Sequence, residues 1–286
     1  MRIEVLRPHG FCAGVRAALT EIVRLADSGA RTYCFRAPVH SAAAVAGLTA
    51  HGVVIADTLA AVPPRSHIVF PAHGVTPAVR REAAARELCV HDLTCPRVAA
   101  LQAAVRAAAA QGKAVVILGE RTHAEVEGLA GAVGTAIVID PEDAIADCPT
   151  LPPAFALFAQ TSLAAATVER AAAELSRRYE VENHAAPCPA AAARQAAVRE
   201  FVAAHASDGA AALLVVTDPA SANGNRLAAV ARAAGMTAFA LADAAALADI
   251  DLGGVETLGV TAAASTPESV LTAVVAQARA QHASPP

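Results

Sequence analysis

Three cysteines, Cys12, Cys95 and Cys188, each stand just before an alanine-rich run with helical character, and this constrains the chain more than any other feature. Cys12 lies in His9-Gly10-Phe11-Cys12-Ala13-Gly14-Val15, after the apolar Ile3-Glu4-Val5-Leu6 and before the helically spaced Val15, Ala18, Leu19, Ile22 and Val23. Cys95 lies in Asp92-Leu93-Thr94-Cys95-Pro96 and Cys188 in Pro187-Cys188-Pro189. Proline directly after the cysteine suits a first helical position. A thiol at a helix N-terminus meets amides that favour the thiolate, the form that binds metal or attacks. The three turns recur at intervals of roughly ninety residues, which is the length of a small domain. Three units converging on one centre is the expectation.

The other cysteines read differently. Cys34 and Cys89 sit in or beside strand-like runs and are expected as packed thiols, while Cys148, followed by Pro149 and then Leu151-Pro152-Pro153, is expected in a loop. Nothing at the start of the chain has the basic segment, apolar stretch and cleavage site of a secretory leader. With six cysteines in a chain of 286 residues, a reducing, cytoplasmic setting is expected, where spaced cysteines mean metal or catalysis more often than disulfides. A net charge of −4 argues against a general nucleic-acid surface. No apolar run approaches the ~20 residues of a membrane span.

Period and punctuation predict an α/β fold of three pseudo-equivalent units. Residues 1–97 alternate strands (Ile3–Leu6, Thr32–Phe35, Val53–Ile55, Ile68–Phe70, Val90–Leu93) with helices at 13–27, 41–50 and 77–87. The pattern recurs over 98–188, with a helix at 98–111, strands at Ala114–Gly119, Ala136–Ile139 and Phe155–Phe158, and a helix at 164–178. It recurs again over 189–286, with helices at 190–206, 225–234 and from Pro267, strands at Leu213–Val216, Ala238–Leu241 and Leu258–Val260, and a tail frayed from His282. Such alternation implies parallel sheets covered by helices. Alanine-rich composition with only 3 % aromatics favours helices lying close on those sheets.

Ligands of open parallel sheets bind beyond the carboxyl ends of the strands, and unusual polar residues collect at those ends. They are His40, His73, His123 with Glu125, Thr161, Ser221 with Asn223, and Ser265. Neutral donors beside helix N-termini suit an anion. Singly, each has a plainer reading: a histidine as a structural hydrogen-bonder, or a serine as a helix cap. His51, His67, His91, His184 and His205 have no such context and are expected at the surface or at caps. Three scattered thiolates suit an iron–sulfur cluster better than zinc, whose structural sites draw on closely spaced pairs and close a four-ligand shell. A [4Fe-4S] cluster normally takes four cysteines, so three would leave one iron open as a Lewis acid.

Gly10-Phe11-Cys12-Ala13-Gly14-Val15, Ala72-His73-Gly74-Val75, Thr94-Cys95-Pro96, His123-Ala124-Glu125-Val126-Glu127-Gly128, Gln160-Thr161, Asn225-Arg226-Leu227 and Thr261 to Pro267 together resemble the LytB family, in order and across nearly the whole chain. The resemblance implies a trefoil of three α/β domains around an iron–sulfur cluster held by Cys12, Cys95 and Cys188. It implies reductive removal of the hydroxyl of 4-hydroxy-3-methylbut-2-enyl diphosphate, giving isopentenyl and dimethylallyl diphosphate. His40, His73, His123, Ser221, Asn223 and Ser265 would surround the diphosphate, with Glu125 and Thr161 near the hydroxyl and Glu125 as proton donor. An external ferredoxin or flavodoxin is implied as electron donor, since no dinucleotide fingerprint is present.

The family's usual Cys-x-Ala-Thr-x-Asn-Arg-Gln stretch reads Cys188-Pro189-Ala190-Ala191-Ala192-Ala193-Arg194-Gln195 here, and its Ser-Ser-Asn loop reads Ser221-Ala222-Asn223. Val39-His40-Ser41 and His123-Ala124-Glu125 depart from the usual Val-His-Asn and His-Pro-Glu. Ligands and proton donor are kept while the anion shell loses hydroxyls and an amide. Ala191, Ala193 and Ala222 therefore leave room for a divergent paralogue reducing another allylic alcohol or diphosphate. An iron–sulfur sensor without turnover is a further alternative, opposed by the retained Glu125, and a zinc-stapled binding protein is the plainest one.

Overall fold

A computed structural model describes residues 1–141, 143, 151–205 and 209–283. Among these, twelve strands form three four-stranded sheets, every pairing parallel. The chain runs β1 (Arg2–Val5), α1 (Ala13–Asp27), β2 (Thr32–Phe35), α2 (Ala42–Ala50), β3 (Val54–Ala56), β4 (His67–Phe70), α3 (Pro77–Ala85), β5 (Cys89–Asp92), α4 (Pro96–Ala110) and β6 (Val115–Leu118). It continues α5 (Ala124–Gly131), β7 (Ile137–Ile139), β8 (Ala154–Ala159), α6 (Ala165–Ser176), β9 (Glu180–Asn183), α7 (Pro189–Ala204), β10 (Ala211–Val216), α8 (Ala222–Ala233), β11 (Thr237–Leu241), β12 (Thr257–Ala262) and α9 (Glu268–Ala283).

The sheet orders are β3-β2-β4-β5, β7-β6-β8-β9 and β11-β10-β12-β1. All three have one topology, provided β1 is counted as the fourth strand of the last sheet. This departs from a division at 97 and 188, because Arg2 to Val5 pair with Thr257 to Val260 rather than with β2. The chain folds into two compact units, one of residues 1–16, 39–47 and 189–286, the other of 17–38 and 48–188.

Central strands carry apolar side chains on both faces, as parallel sheets covered by helices require. In the second sheet Val115, Ile117 and Phe158 pack with Val105 and Ala108 of α4 and Leu129 of α5, while Val116, Leu118 and Leu157 pack with Ala171 and Leu175 of α6. The first sheet packs Ile22 and Leu25 of α1 on Cys34 and Val69, and Ala83 of α3 on Ile68 and Phe70. The third sets Leu213 and Val215 against α7 and α8, and Leu214, Val216 and Val260 against α9. Helix starts follow their signals: Thr76 caps α3 by accepting the Val79 N–H at 3.3 Å, with Pro77 in the first turn.

Some expectations need correction. Cys89 is exposed at the start of the edge strand β5 rather than packed, because an edge strand lacks a neighbour on one side. Cys34, on the central strand β2, is buried as expected, and that burial pushes its thiol up to about 12. Helix α8 starts at Ala222, three residues before the expected 225, because Ser221 caps it. Helix α9 runs through Ala283, so the chain is still helical at His282, where the sequence predicts fraying. Cys148 lies outside the described residues. Among the described residues no helix is long and apolar enough to cross a membrane.

Candidate active site

In each sheet the strand order reverses between the first and third strands of its set, β2 and β4, β6 and β8, β10 and β12. That switch point is where open α/β sheets bind ligands. The segments leaving these strands carry, in turn, His40 and His73, His123 with Glu125 and Thr161, and Ser221 with Asn223 and Ser265. The three cysteines follow the fourth strands instead: Cys95 after β5, Cys188 after β9, and Cys12 after β1.

One backbone bond recurs at all three. Cys95 N–H donates to the Ala72 carbonyl at 2.9 Å, Cys188 N–H to the Thr161 carbonyl at 2.8 Å, and Cys12 N–H to the Ala264 carbonyl at 3.3 Å. Each acceptor lies in the loop after the neighbouring third strand, on or beside His73, Thr161 or Ser265. All three thiols are free and half-buried, and each directly precedes a helix. Around Cys12, the Val15 N–H points at Sγ from 3.5 Å.

In the unit holding Cys95 and Cys188, α5 sets the chemistry. His123 caps the helix, its Nδ1 accepting the Glu125 N–H at 3.2 Å. A neutral imidazole accepting at Nδ1 carries its proton on Nε2 as a donor. Glu125 is only 4 % exposed. Its Oε1 accepts the Thr161 N–H at 2.7 Å and its Oε2 the Thr161 Oγ1–H at 2.8 Å. Thr161 therefore holds the carboxylate with two donors while its carbonyl holds Cys188. Beside Cys95, Asp92 accepts from Thr94 and Arg80. Burial alone would raise the Asp92 carboxyl, but these donors hold it below the usual carboxylate range.

In the unit holding Cys12, Ser221 caps α8 by accepting the Gly224 N–H at 3.4 Å, and its Oγ lies 3.2 Å from the Oγ of Ser265. The cap reading of Ser221 holds, and the same hydroxyl faces Ser265. Asn223 Oδ1 accepts the Ala264 N–H at 3.3 Å, which leaves the amide NH2 as the group it can offer a ligand. A Cβ on Gly224 would fall 1.8 Å from Thr217 Oγ1, so only glycine lets α8 start this close to the end of β10. The loop of His40 joins the same unit, where Ala42 N–H donates to Asp218 Oδ2 at 3.1 Å.

Arg194 has a part that the sequence does not single out. It is 3 % exposed, and its guanidinium donates to the Gly10 carbonyl at 2.6 Å and the Ala190 carbonyl at 2.7 Å. It ties the loop before Cys12 to the first turn of α7. Its place in the Arg194-Gln195 pair that ends the Cys188 stretch is the only signal of this. Gln160, fully buried, accepts the Glu120 N–H at 3.0 Å and donates to Ser162 Oγ at 2.8 Å, bracing the start of the Thr161 loop. Of the substituted positions, Ala191 is buried and Ala222 half-buried, whereas Ala193 is exposed.

A family model described as LytB protein matches residues 3–279. The 4-hydroxy-3-methylbut-2-enyl diphosphate reductase of Zymomonas mobilis is 33 % identical over 98 % of this chain and 83 % of its own. The protein of the same name from Methylococcus capsulatus is 35 % identical over 97 % of this chain and 90 % of its own. The solved E-1-hydroxy-2-methyl-but-2-enyl-4-diphosphate reductase of Plasmodium falciparum matches the fold with a TM-score of 0.86 at 24 % identity, over 96 % of this chain and 87 % of that one.

Proposed function

The chain belongs to the LytB family, and on that premise we propose that it is an iron–sulfur reductase converting 4-hydroxy-3-methylbut-2-enyl diphosphate into isopentenyl and dimethylallyl diphosphate. The observation that carries the reading is the repeated clasp: three free, half-buried thiols at helix starts, each tied by its own N–H to the loop bearing a polar residue of the neighbouring strand. Three thiolate donors without a fourth fit a [4Fe-4S] cluster with one open iron, and Cys12, Cys95 and Cys188 would hold it. Such a cluster, when bound, supplies single electrons and a Lewis-acidic site for the substrate hydroxyl.

The remaining chemistry belongs to side chains. His40, His73, His123, Ser221, Asn223 and Ser265 would offer neutral donors to the diphosphate. Glu125, held by Thr161 and screened from water, would hold a proton on a carboxylate oxygen beside the substrate hydroxyl. Thr161 Oγ1 can both accept and donate, so a proton can pass through it to the leaving oxygen. Two electrons and two protons balance the reaction: the C–O bond breaks, the oxygen leaves as water, and the allylic carbon skeleton takes the second proton. Ferredoxin or flavodoxin would supply the electrons, and the cytoplasm is the proposed setting.

Glu125→Gln tests the reading, because glutamine keeps size and polarity but removes the transferable proton. The variant should keep full iron and bind substrate, yet lose at least ~10²-fold in anaerobic turnover, the low end for general acid catalysis. Near-normal turnover would remove Glu125 from the mechanism.

The buried Ala191 and half-buried Ala222 favour a second reading, a paralogue reducing a different allylic substrate. A hydrogen bond to a charged group is worth ~1.5–3 kcal/mol, so restoring one by Ala222→Ser should lower KM for the family substrate roughly ten- to a hundredfold with kcat little changed. No gain favours the paralogue.

A further inference from the structure

On the edge of the first sheet, His67, Cys89 and His91 bring their donor atoms within 4.8 Å of one another. We propose that these three residues form a second metal site, for a borderline-soft divalent cation of the zinc type. The inference is independent of the function proposed above.

The strand register builds the cluster. His67 opens β4 and lies directly across from Cys89, which opens β5. His91 lies two residues beyond Cys89, and residues two apart on a strand share a face. The side chains therefore stand together on the sheet face that also carries Val69, against which α1 packs. The two rings stack with centroids 5.1 Å apart and planes at 21°. His67 Nδ1 and His91 Nε2 are 2.8 Å apart, and Cys89 Sγ is 3.9 Å from the same Nε2.

Tetrahedral zinc with its usual bond lengths sets two nitrogen ligands about 3.3 Å apart and a nitrogen and a sulfur about 3.6 Å apart. Opening the ring pair by about 0.5 Å and closing the thiol on His91 by about 0.3 Å meets that geometry for those two pairs, and the thiol lies within 4.8 Å of a His67 ring nitrogen. Such shifts are small for side chains whose thiol is exposed and whose rings are half-buried. Two imidazoles and one thiolate suit zinc better than hard cations, which take oxygen. The fourth position falls to water, since both carboxylate oxygens of the nearby Glu21 on α1 are taken by Arg24 at 2.6 and 2.7 Å. The site opens to solvent on an edge strand. All three ligands sit within β4 and β5, whereas His73 and Cys95 follow the carboxyl ends of those strands.

The test uses anaerobically purified, iron-loaded protein, exposed to a small excess of Zn2+ and desalted, with zinc and iron measured together. The expected result is about one zinc retained per chain with iron unchanged, and a zinc-edge X-ray absorption spectrum with one sulfur near 2.3 Å and two nitrogens near 2.0–2.1 Å. Cys89→Ala and His91→Gln should each weaken zinc binding at least tenfold and leave iron and turnover unchanged. The exposed Cys89 tolerates alanine without a packing cost, so its variant decides the matter if His91→Gln folds poorly. Zinc retained equally by Cys89→Ala, zinc gained only as iron is lost, or no zinc retained by the unmodified protein would each overturn the proposal.

Discussion

Glu125 and Glu127 are two residues apart on one helix and meet opposite environments. The helical turn sends Glu125 inward, where Thr161 takes both carboxylate oxygens, and Glu127 outward, where Oε2 accepts from Arg36 at 3.2 Å. An exposed ion pair contributes little to stability, so Glu127→Gln should leave turnover and melting temperature nearly unchanged. Thr161→Val keeps shape and removes the hydroxyl donor. It should retain iron but lower turnover roughly ten- to a hundredfold, since it removes both a hydrogen bond to the Glu125 carboxyl group, worth ~1.5–3 kcal/mol when that group is charged, and the hydroxyl that can relay its proton. The thiols separate by the same logic. Cys34, buried and pushed up to about 12, stays protonated at neutral pH, and mass mapping after iodoacetamide treatment of the native protein should find Cys89 alkylated and Cys34 untouched. Alkylated Cys34 in folded protein would contradict that placement. The sequence distinguishes Glu125 from Glu127 only through the resemblance. It suggests a packed thiol at Cys89 because a strand's position within its sheet is not written in its own residues.

At the scale of elements, Gly224 is the sharpest constraint. Alanine there would set its Cβ 1.8 Å from Thr217 Oγ1, and overpacking of this kind typically costs about 1–3 kcal/mol. Gly224→Ala should therefore lower the melting temperature by several degrees and, by shifting Ser221 and Asn223, raise KM more than it lowers kcat. An unchanged melting curve would show that α8 can move away from β10. Gly74 repeats the theme with φ +77 and a Cβ position 2.7 Å from Gln102 Nε2. Most elements are legible in the sequence, because central strands such as Val115–Leu118 and Leu213–Val216 are unbroken apolar runs and helix starts carry proline or a cap. Strand β9, Glu180–Asn183, is not, since this largely exposed, polar edge strand lacks any apolar run. Helix α5 also escapes notice, being short and glycine-containing.

For the whole molecule, the repeating pattern is four strands with the polar residues after the first and third and the cysteine after the fourth. The chain enters this repeat at its last strand, so β1 completes the sheet that β12 belongs to. The sequence displays three recurring cysteines but not this closure, because pairing between residues 2–5 and 257–260 is nonlocal and leaves no periodic trace. If the three cysteine turns are equivalent, serine at Cys12, Cys95 or Cys188 should each strip the iron, while serine at Cys34 or Cys89 should not. Retention of full iron by any of the first three would remove that residue from the ligand set. The most direct measurement is anaerobic incubation of the iron-loaded protein with 4-hydroxy-3-methylbut-2-enyl diphosphate and a chemical reductant, with the products separated and identified. The account predicts conversion to both isopentenyl and dimethylallyl diphosphate; substrate left unchanged by protein carrying its full iron would contradict it.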